Sequence, residues 1–314
     1  MHRLRTYAAK ERLLRHVRKQ RLKYIAVLPS LITILNGICG FASIVFASKE
    51  AFAKAGYMLL LAMAADVLDG RLARMSRTTS SFGGQLDSLC DVISFGLAPA
   101  FLTVKVMESG MDLANIGQAF ENFFHSFIWL AAAVYISCAA VRLARFNVEN
   151  IEDESAHMSF IGLPSPAAAG VIISLVIFQQ ESLPELLQTE KHTQLYLFCE
   201  TAIIYALPFI AVGLAVLMVS RIRYPHILNQ YIRGKKPFAH FIRALLLAGL
   251  IIWSRQAALV FIFCGFAVSG FLKWFYYRVI RRKPYIRPIS GLPAFARPDN
   301  LNEADIGGHN GDIQ

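Results

Sequence analysis

Charge is scarce in this chain, and acidic charge is scarcest. Only 17% of its 314 residues are Asp, Glu, Lys or Arg, and the acidic residues number 21 against 32 basic ones. A water-soluble protein of this length needs more polar surface than that. Hydrophobic residues make up 55% instead, and the mean hydropathy is +0.46. Cysteine is sparse as well: Cys39, Cys90, Cys138, Cys199 and Cys264 are present, and no two form a CxxC pair. A zinc ribbon or a disulfide framework is therefore not expected, and the five read as small packing residues. No short apolar core with a small-residue cleavage site opens the chain, so no cleavable leader is expected. The net charge of +11 does not point to nucleic acid, because the cations alternate with long apolar runs instead of covering one surface.

Those runs are what the chain has in abundance. Eight stretches near 25–48, 51–69, 86–107, 126–146, 161–178, 198–220, 238–253 and 257–280 are apolar and about long enough to cross a bilayer. The expected fold is all-α: a polytopic membrane helix bundle of about eight transmembrane helices. Positive charge orients it. Cations crowd the segment before the first run, Arg71, Arg74 and Arg77 follow the second, and Arg221, Arg223, Arg233, Lys235 and Lys236 follow the sixth. The alternate connections carry few: Lys49, Lys54, Lys191 and Arg255. Both termini and the 70–85 segment are then cytosolic. Three regions are expected: a basic arm over 1–24, interfacial helix or solvated anchor; a membrane domain over 25–280; and a polar, disordered tail over 281–314.

The rare acidic residues are concentrated. "DVLDGRLARMSRTTSSFGGQLDSLCD" (66–91) places four aspartates between two apolar runs. Asp66 and Asp69 are three apart and Asp87 and Asp91 four apart, so on helices each pair shares one face. A short connection makes those helices antiparallel neighbours, and all four carboxylates can face one gap at the membrane edge. So much negative charge needs a counter-ion, and oxygen-only donors suit Mg²⁺ or Mn²⁺. Two such ions would suit phosphoryl chemistry. Gly70, Gly83 and Gly84 leave room, Ala73 is small, and Arg74 can meet a phosphate. As caps or arginine partners alone, four aspartates at this spacing are poorly explained.

The stretch fits D-x-x-D-G-x-x-A-R-x8-G-x-x-x-D-x-x-x-D without a gap and resembles the CDP-alcohol phosphatidyltransferases. The resemblance implies that Asp66, Asp69 and Asp87 hold two divalent metals. It implies that Asp91 reaches a metal and is the catalytic general base, and that Gly70, Ala73, Arg74 and Gly83 surround the CDP-lipid. An alcohol would attack the phosphorus bearing the diacylglycerol, and CMP would leave. "LPSLITILNGICGFASIVFA", "VRLARFNV" and "FIGLPSPAAAG" look like the bacterial membrane-integral phosphatidylserine synthases of that family. The acceptor implied is L-serine, the donor CDP-diacylglycerol, the assembly a homodimer among membrane lipids, and the place the bacterial cytoplasmic (inner) membrane with the site on its cytosolic side.

Other residues keep two readings. Arg142 and Arg145, three apart at the cytosolic end of the fourth run, suit the acceptor carboxylate or a lipid phosphate; as topology anchors they would snorkel outward. Asn36 and Thr33 in the first run either touch the nucleotide or link helices. Asn147 is a further polar candidate. Pro164 and Pro166 shape the start of the fifth helix, and Ser165 is not expected as a nucleophile. The acidic stretch Glu149–Ser155 is expected as a solvated loop, and His125, His157, His192 and His240 as interfacial side chains. The same chemistry on another acceptor (glycerol phosphate, an inositol compound, choline) is the nearest rival. A cation-coupled transporter would instead want its acids near mid-membrane and its helices broken there.

Overall fold

A computed structural model describes residues 30–76, 81–110, 118–152, 160–184, 193–220, 222–224 and 255–276. The basic arm, the seventh apolar run and the polar tail lie outside the described residues. Helix follows helix: α1 (Ser30–Ser48), α2 (Phe52–Ser76), α3 (Ser81–Asp91), α4 (Ala98–Gly110), α5 (Gln118–Glu152), α6 (Ser165–Ile177), α7 (Thr193–Val219) and α8 (Arg255–Phe275). Five of the described helices are long and apolar enough to cross a membrane: α1, the continuous Phe82–Gly110, the Asn122–Val148 part of α5, the Gln194–Val219 part of α7, and α8. α2 has the length, 25 residues or about 37 Å, but Lys54, Asp66, Asp69 and Arg71 interrupt its apolar run. α6 has only 13 residues before its helix loosens into a π-turn, Phe178–Ser182.

α1 and α2 are joined by a tight turn. The amides of Glu50 and Ala51 return to Ala47 O at 3.0 Å and Phe46 O at 3.0 Å, a Schellman closure that needs a left-handed residue. Glu50, at φ 58°, takes a place where glycine is usual. The α1–α2 hairpin is thereby fixed as an antiparallel pair.

α6 occupies the centre. Ala168, Ala169, Gly170, Val171, Ile172, Ile173, Val176 and Ile177 are all buried, so this helix is covered on every side by protein rather than lipid. It packs against α2 and α7, and α7 packs in turn along α5. Leu31, Ile34, Leu35, Ile38 and Phe41 of α1 are exposed, an apolar stripe of the kind that faces acyl chains.

The "FIGLPSP" stretch forms a staple. Phe160–Ile161 pairs antiparallel with Arg223–Tyr224, Phe160 opposite Tyr224. Gly162 N–H donates to Ile222 O at 2.8 Å and Leu163 N–H to Leu217 O at 3.0 Å. Gly162 has φ +83°, and a Cβ there would overlap the Met218 carbonyl, so this position demands glycine on two counts. α6 then starts with Pro164 as its cap and Pro166 in its first turn, where a missing N–H is harmless.

Several boundaries differ from those expected. α5 begins at Gln118 and runs to Glu152, so the acidic stretch expected as a loop from Glu149 starts as helix; nothing between Asn147 and Glu152 is Gly or Pro. α3 starts at Ser81, ahead of the run expected at 86, because Gly83 and Gly84 are tolerated inside it.

Candidate active site

The two aspartate pairs meet. Asp66 and Asp69 stand on successive turns of α2, and Asp87 faces them from α3; one carboxylate oxygen of each lies within 4.8 Å of the others. Asp69 is 4% exposed and receives the Thr33 hydroxyl from α1. Asp91, one turn beyond Asp87, lies outside this tight triplet but within electrostatic reach of all three. It is 8% exposed, and Asn36 Nδ2 donates to its Oδ1 at 3.0 Å.

α1 can come this close because its contact face is small. A Cβ on Gly37 would lie 3.0 Å from Cys90 Sγ, and one on Gly40 would overlap Ser94. Ser94 Oγ donates to the Asn36 carbonyl at 2.9 Å, so the residue holding Asp91 is itself held.

Directly after Asp91 the helix widens into a π-turn, Val92–Leu97. π-turns release backbone groups and recur at functional sites. Within this turn Phe95 O accepts the buried Tyr135 hydroxyl at 3.2 Å. Tyr135 is two turns before Arg142 on the same face of α5.

Arg142 does not snorkel. It is 9% exposed, its Nη1 donates to Ser165 Oγ at 2.8 Å, and its charge acts on Asp91 and Asp66. Burying a guanidinium is tolerable only beside such partners. Arg145 lies one turn on, half-buried. Asn147 Nδ2 donates to Ser88 Oγ at 2.8 Å, tying α5 to the residue after Asp87. Gly70 faces open space, with nothing within 4 Å of a Cβ position, and so does Gly84. Ala73 and Arg74 continue α2 beyond Gly70. Of the histidines, His125 is exposed on α5; His157, His192 and His240 lie outside the described residues.

The donor set fits a divalent cation. Asp69 Oδ2 and Asp87 Oδ1 are buried without a hydrogen-bond partner, as are Asn36 Oδ1 and Arg142 Nε. Buried carboxylate oxygens left bare are rare and expensive. Three converging carboxylates offer hard oxygens of the kind that Mg²⁺ and Mn²⁺ select.

Sequence spacing pointed to the aspartates and to Arg142. It did not single out Ser88, Ser94 or Tyr135, whose partners lie on other helices. The only local signal was their position: Ser88 lies between the last two aspartates and Ser94 three residues after the second, and Tyr135 shares a face with Arg142.

Comparison with known proteins agrees with this arrangement. Residues 26–269 match the CDP-alcohol phosphatidyltransferase family. The chain is 33% identical over 252 residues to a Helicobacter pylori (strain J99) protein named CDP-diacylglycerol–serine O-phosphatidyltransferase, covering 80% of this chain and 92% of that one. A protein of the same name from Methanocaldococcus jannaschii is 30% identical over 210 residues, 67% of this chain and 79% of its own. A third so named, from Saccharomyces cerevisiae, is 32% identical over 164 residues, 48% and 54%. With most of its length matched and its aspartates drawn together across two helices, the chain belongs to the CDP-alcohol phosphatidyltransferase family.

Proposed function

We propose that the protein transfers the phosphatidyl group of CDP-diacylglycerol to the hydroxyl of L-serine, giving phosphatidylserine and CMP. The observation that carries the chemistry is the convergence of Asp66, Asp69 and Asp87 with two bare buried oxygens. The names of the relatives carry the acceptor.

Asp66, Asp69, Asp87 and Asp91 would hold two divalent ions, Mg²⁺ or Mn²⁺. Bound there, such ions would neutralise the pyrophosphate and the departing CMP. Gly70, Ala73, Arg74 and Gly83 would line the path of the CDP group: open space at Gly70 leaves room for it, and an arginine on the following turn suits a phosphate. Asp91 takes the proton of the acceptor hydroxyl. A neutral alcohol is a weak nucleophile, and the hydrogen bond that orients the Asp91 carboxylate supports that role. Arg142 and Arg145 receive the acceptor carboxylate or a lipid phosphate; burial of Arg142 among carboxylates supports a binding role over a topological one.

The arrangement in the membrane belongs to the same proposal. Eight spans over 25–280 with cytosolic termini put the aspartates at the cytosolic face of a bacterial inner membrane, where a lipid donor and a water-soluble acceptor meet. The 1–24 arm and the 281–314 tail flank that domain, and the family resemblance supports a homodimer. Another alcohol acceptor is the second reading, since the aspartate motif itself does not select one.

The test uses purified protein with CDP-diacylglycerol and Mn²⁺, offered one alcohol at a time. CMP and phosphatidylserine with L-serine alone is the expected outcome. CMP release with a different alcohol and not with L-serine moves the enzyme to another branch of the family, and none with any alcohol from folded protein reopens the ion-coupled transporter.

A further inference from the structure

Two of the bare polar atoms around Asp91 have opposite character. Asn36 Oδ1 is an acceptor and Arg142 Nε a donor; both are buried, and neither has a partner. Asn36 is 0% exposed and Arg142 9%. Each residue is already anchored by its other polar end: Asn36 Nδ2 on Asp91, Arg142 Nη1 on Ser165. What remains is one bare acceptor on the residue that touches Asp91 and one bare donor within electrostatic reach of the same carboxylate.

A bare buried acceptor asks for a donor, and a bare buried guanidinium N–H asks for an anion. A zwitterionic amino alcohol supplies both. Its hydroxyl and ammonium sit on neighbouring carbons, so a hydroxyl at Asp91 brings the ammonium within reach of the Asn36 amide. The carboxylate, on the other side of the α-carbon, is left for Arg142. This deepens the proposed function and rests on it.

We infer that Asn36 is a specificity residue on the acceptor side: its amide nitrogen fixes Asp91, and its carbonyl oxygen takes the ammonium of the amino alcohol whose carboxylate lies on Arg142. α1 then reads the acceptor, and Ser94, which holds the Asn36 backbone carbonyl, is a positioning residue for that contact.

The experiment compares three acceptors: L-serine, 3-hydroxypropionate (no ammonium) and ethanolamine (no carboxylate). It measures kcat/KM from CMP release, or inhibition constants against L-serine where turnover is too slow. In the native enzyme, loss of the ammonium should cost at least about 100-fold, because it leaves a buried acceptor unpaired. In Asn36→Leu, all rates fall through Asp91, but the ratio of L-serine to 3-hydroxypropionate should narrow to under about tenfold. The ratio of L-serine to ethanolamine should stay. Arg142→Met should show the mirror pattern.

An equal loss for all three acceptors in Asn36→Leu overturns the inference, as does a matching rise in KM for CDP-diacylglycerol; Asn36 would then serve Asp91, nucleotide or metal alone. The native enzyme gives a check free of any folding defect: 3-hydroxypropionate as good as L-serine also overturns it. Those results leave serine turnover, and so the proposed function, standing. Failure of folded protein to release CMP with any acceptor overturns both.

Discussion

The bundle has two polar ends, and they are built on opposite principles. Along α2, Tyr57 and Asp69 are twelve residues apart, about 18 Å. At the Tyr57 end, Glu181 Oε2 accepts the Tyr57 hydroxyl at 2.6 Å and Gln256 Nε2 at 2.9 Å. Gln179 Nε2 reaches Glu200 at 3.2 Å, and Gln180 Nε2 reaches Gln179 at 2.8 Å. Carboxylates there are matched by neutral donors from several elements, and none of these side chains keeps a buried polar atom without a partner. At the Asp69 end, carboxylates face carboxylates, and Asp69, Asp87, Asn36 and Arg142 each keep a buried atom without a partner. A closed network rigidifies a fold; an open one is tolerated where something else completes it. The difference separates a clasp from a site within one molecule.

Four predictions probe that contrast. The largest effect is expected from Asp91→Asn. The amide it introduces can still accept a hydrogen bond from Asn36, so the fold should survive, while turnover should drop by about 10³-fold or more with loss of the base. Circular dichroism and CMP release measure the two halves; turnover near wild type ends the assignment. Next, thorough chelation with EDTA should remove activity, and Mg²⁺ or Mn²⁺ should restore it. Full activity in the chelated protein would rule out the metal reading.

The third prediction inverts the usual sign of a buried substitution. Asp69→Asn removes one of several crowded like charges, so in chelated protein it should raise the melting point, by a stability gain of about 1 kcal/mol. The same variant should lose activity when metal is present. A lower melting point without metal would mean that the acidic end is as self-sufficient as the other. Smallest is Tyr57→Phe at the closed end: a loss of about 0.5 kcal/mol from one exposed hydrogen bond, with kcat unchanged. A changed kcat would join the two ends functionally and erase the contrast.

What was legible in the sequence follows the range of each interaction. The i/i+3 and i/i+4 spacing of the aspartates is local, so the face they share could be read directly, and so could the helical class. Arg142 was visible as a charge in an apolar run, although its inward orientation depends on Ser165, 23 residues away. The contact of Asn36 with Asp91 spans 55 residues and depends on how deeply α1 settles on Gly37 and Gly40; no pattern within α1 states that depth. The π-turns at Val92–Leu97 and Phe178–Ser182 carry no residue pattern that separates a π-turn from an ordinary helix turn. The second converts what looked like the start of a loop at Gln179 into the clasp of the closed end.

The staple at Gly162 gives the chain a fixed zero mark. From the amide that bonds Ile222 to the hydroxyl that bonds Arg142 is a count of three residues, Gly162 to Ser165. Length added before Phe160 leaves that count intact, whereas one residue inserted between Gly162 and Ser165 turns the hydroxyl away from the guanidinium. We predict that an alanine inserted after Leu163 raises the KM for L-serine at least about tenfold, while one inserted after His157 does not; equal effects would show that the count is not kept. Insertions among homologous chains should accordingly collect on the near side of Phe160, with the stretch from Gly162 to Ser165 constant in length.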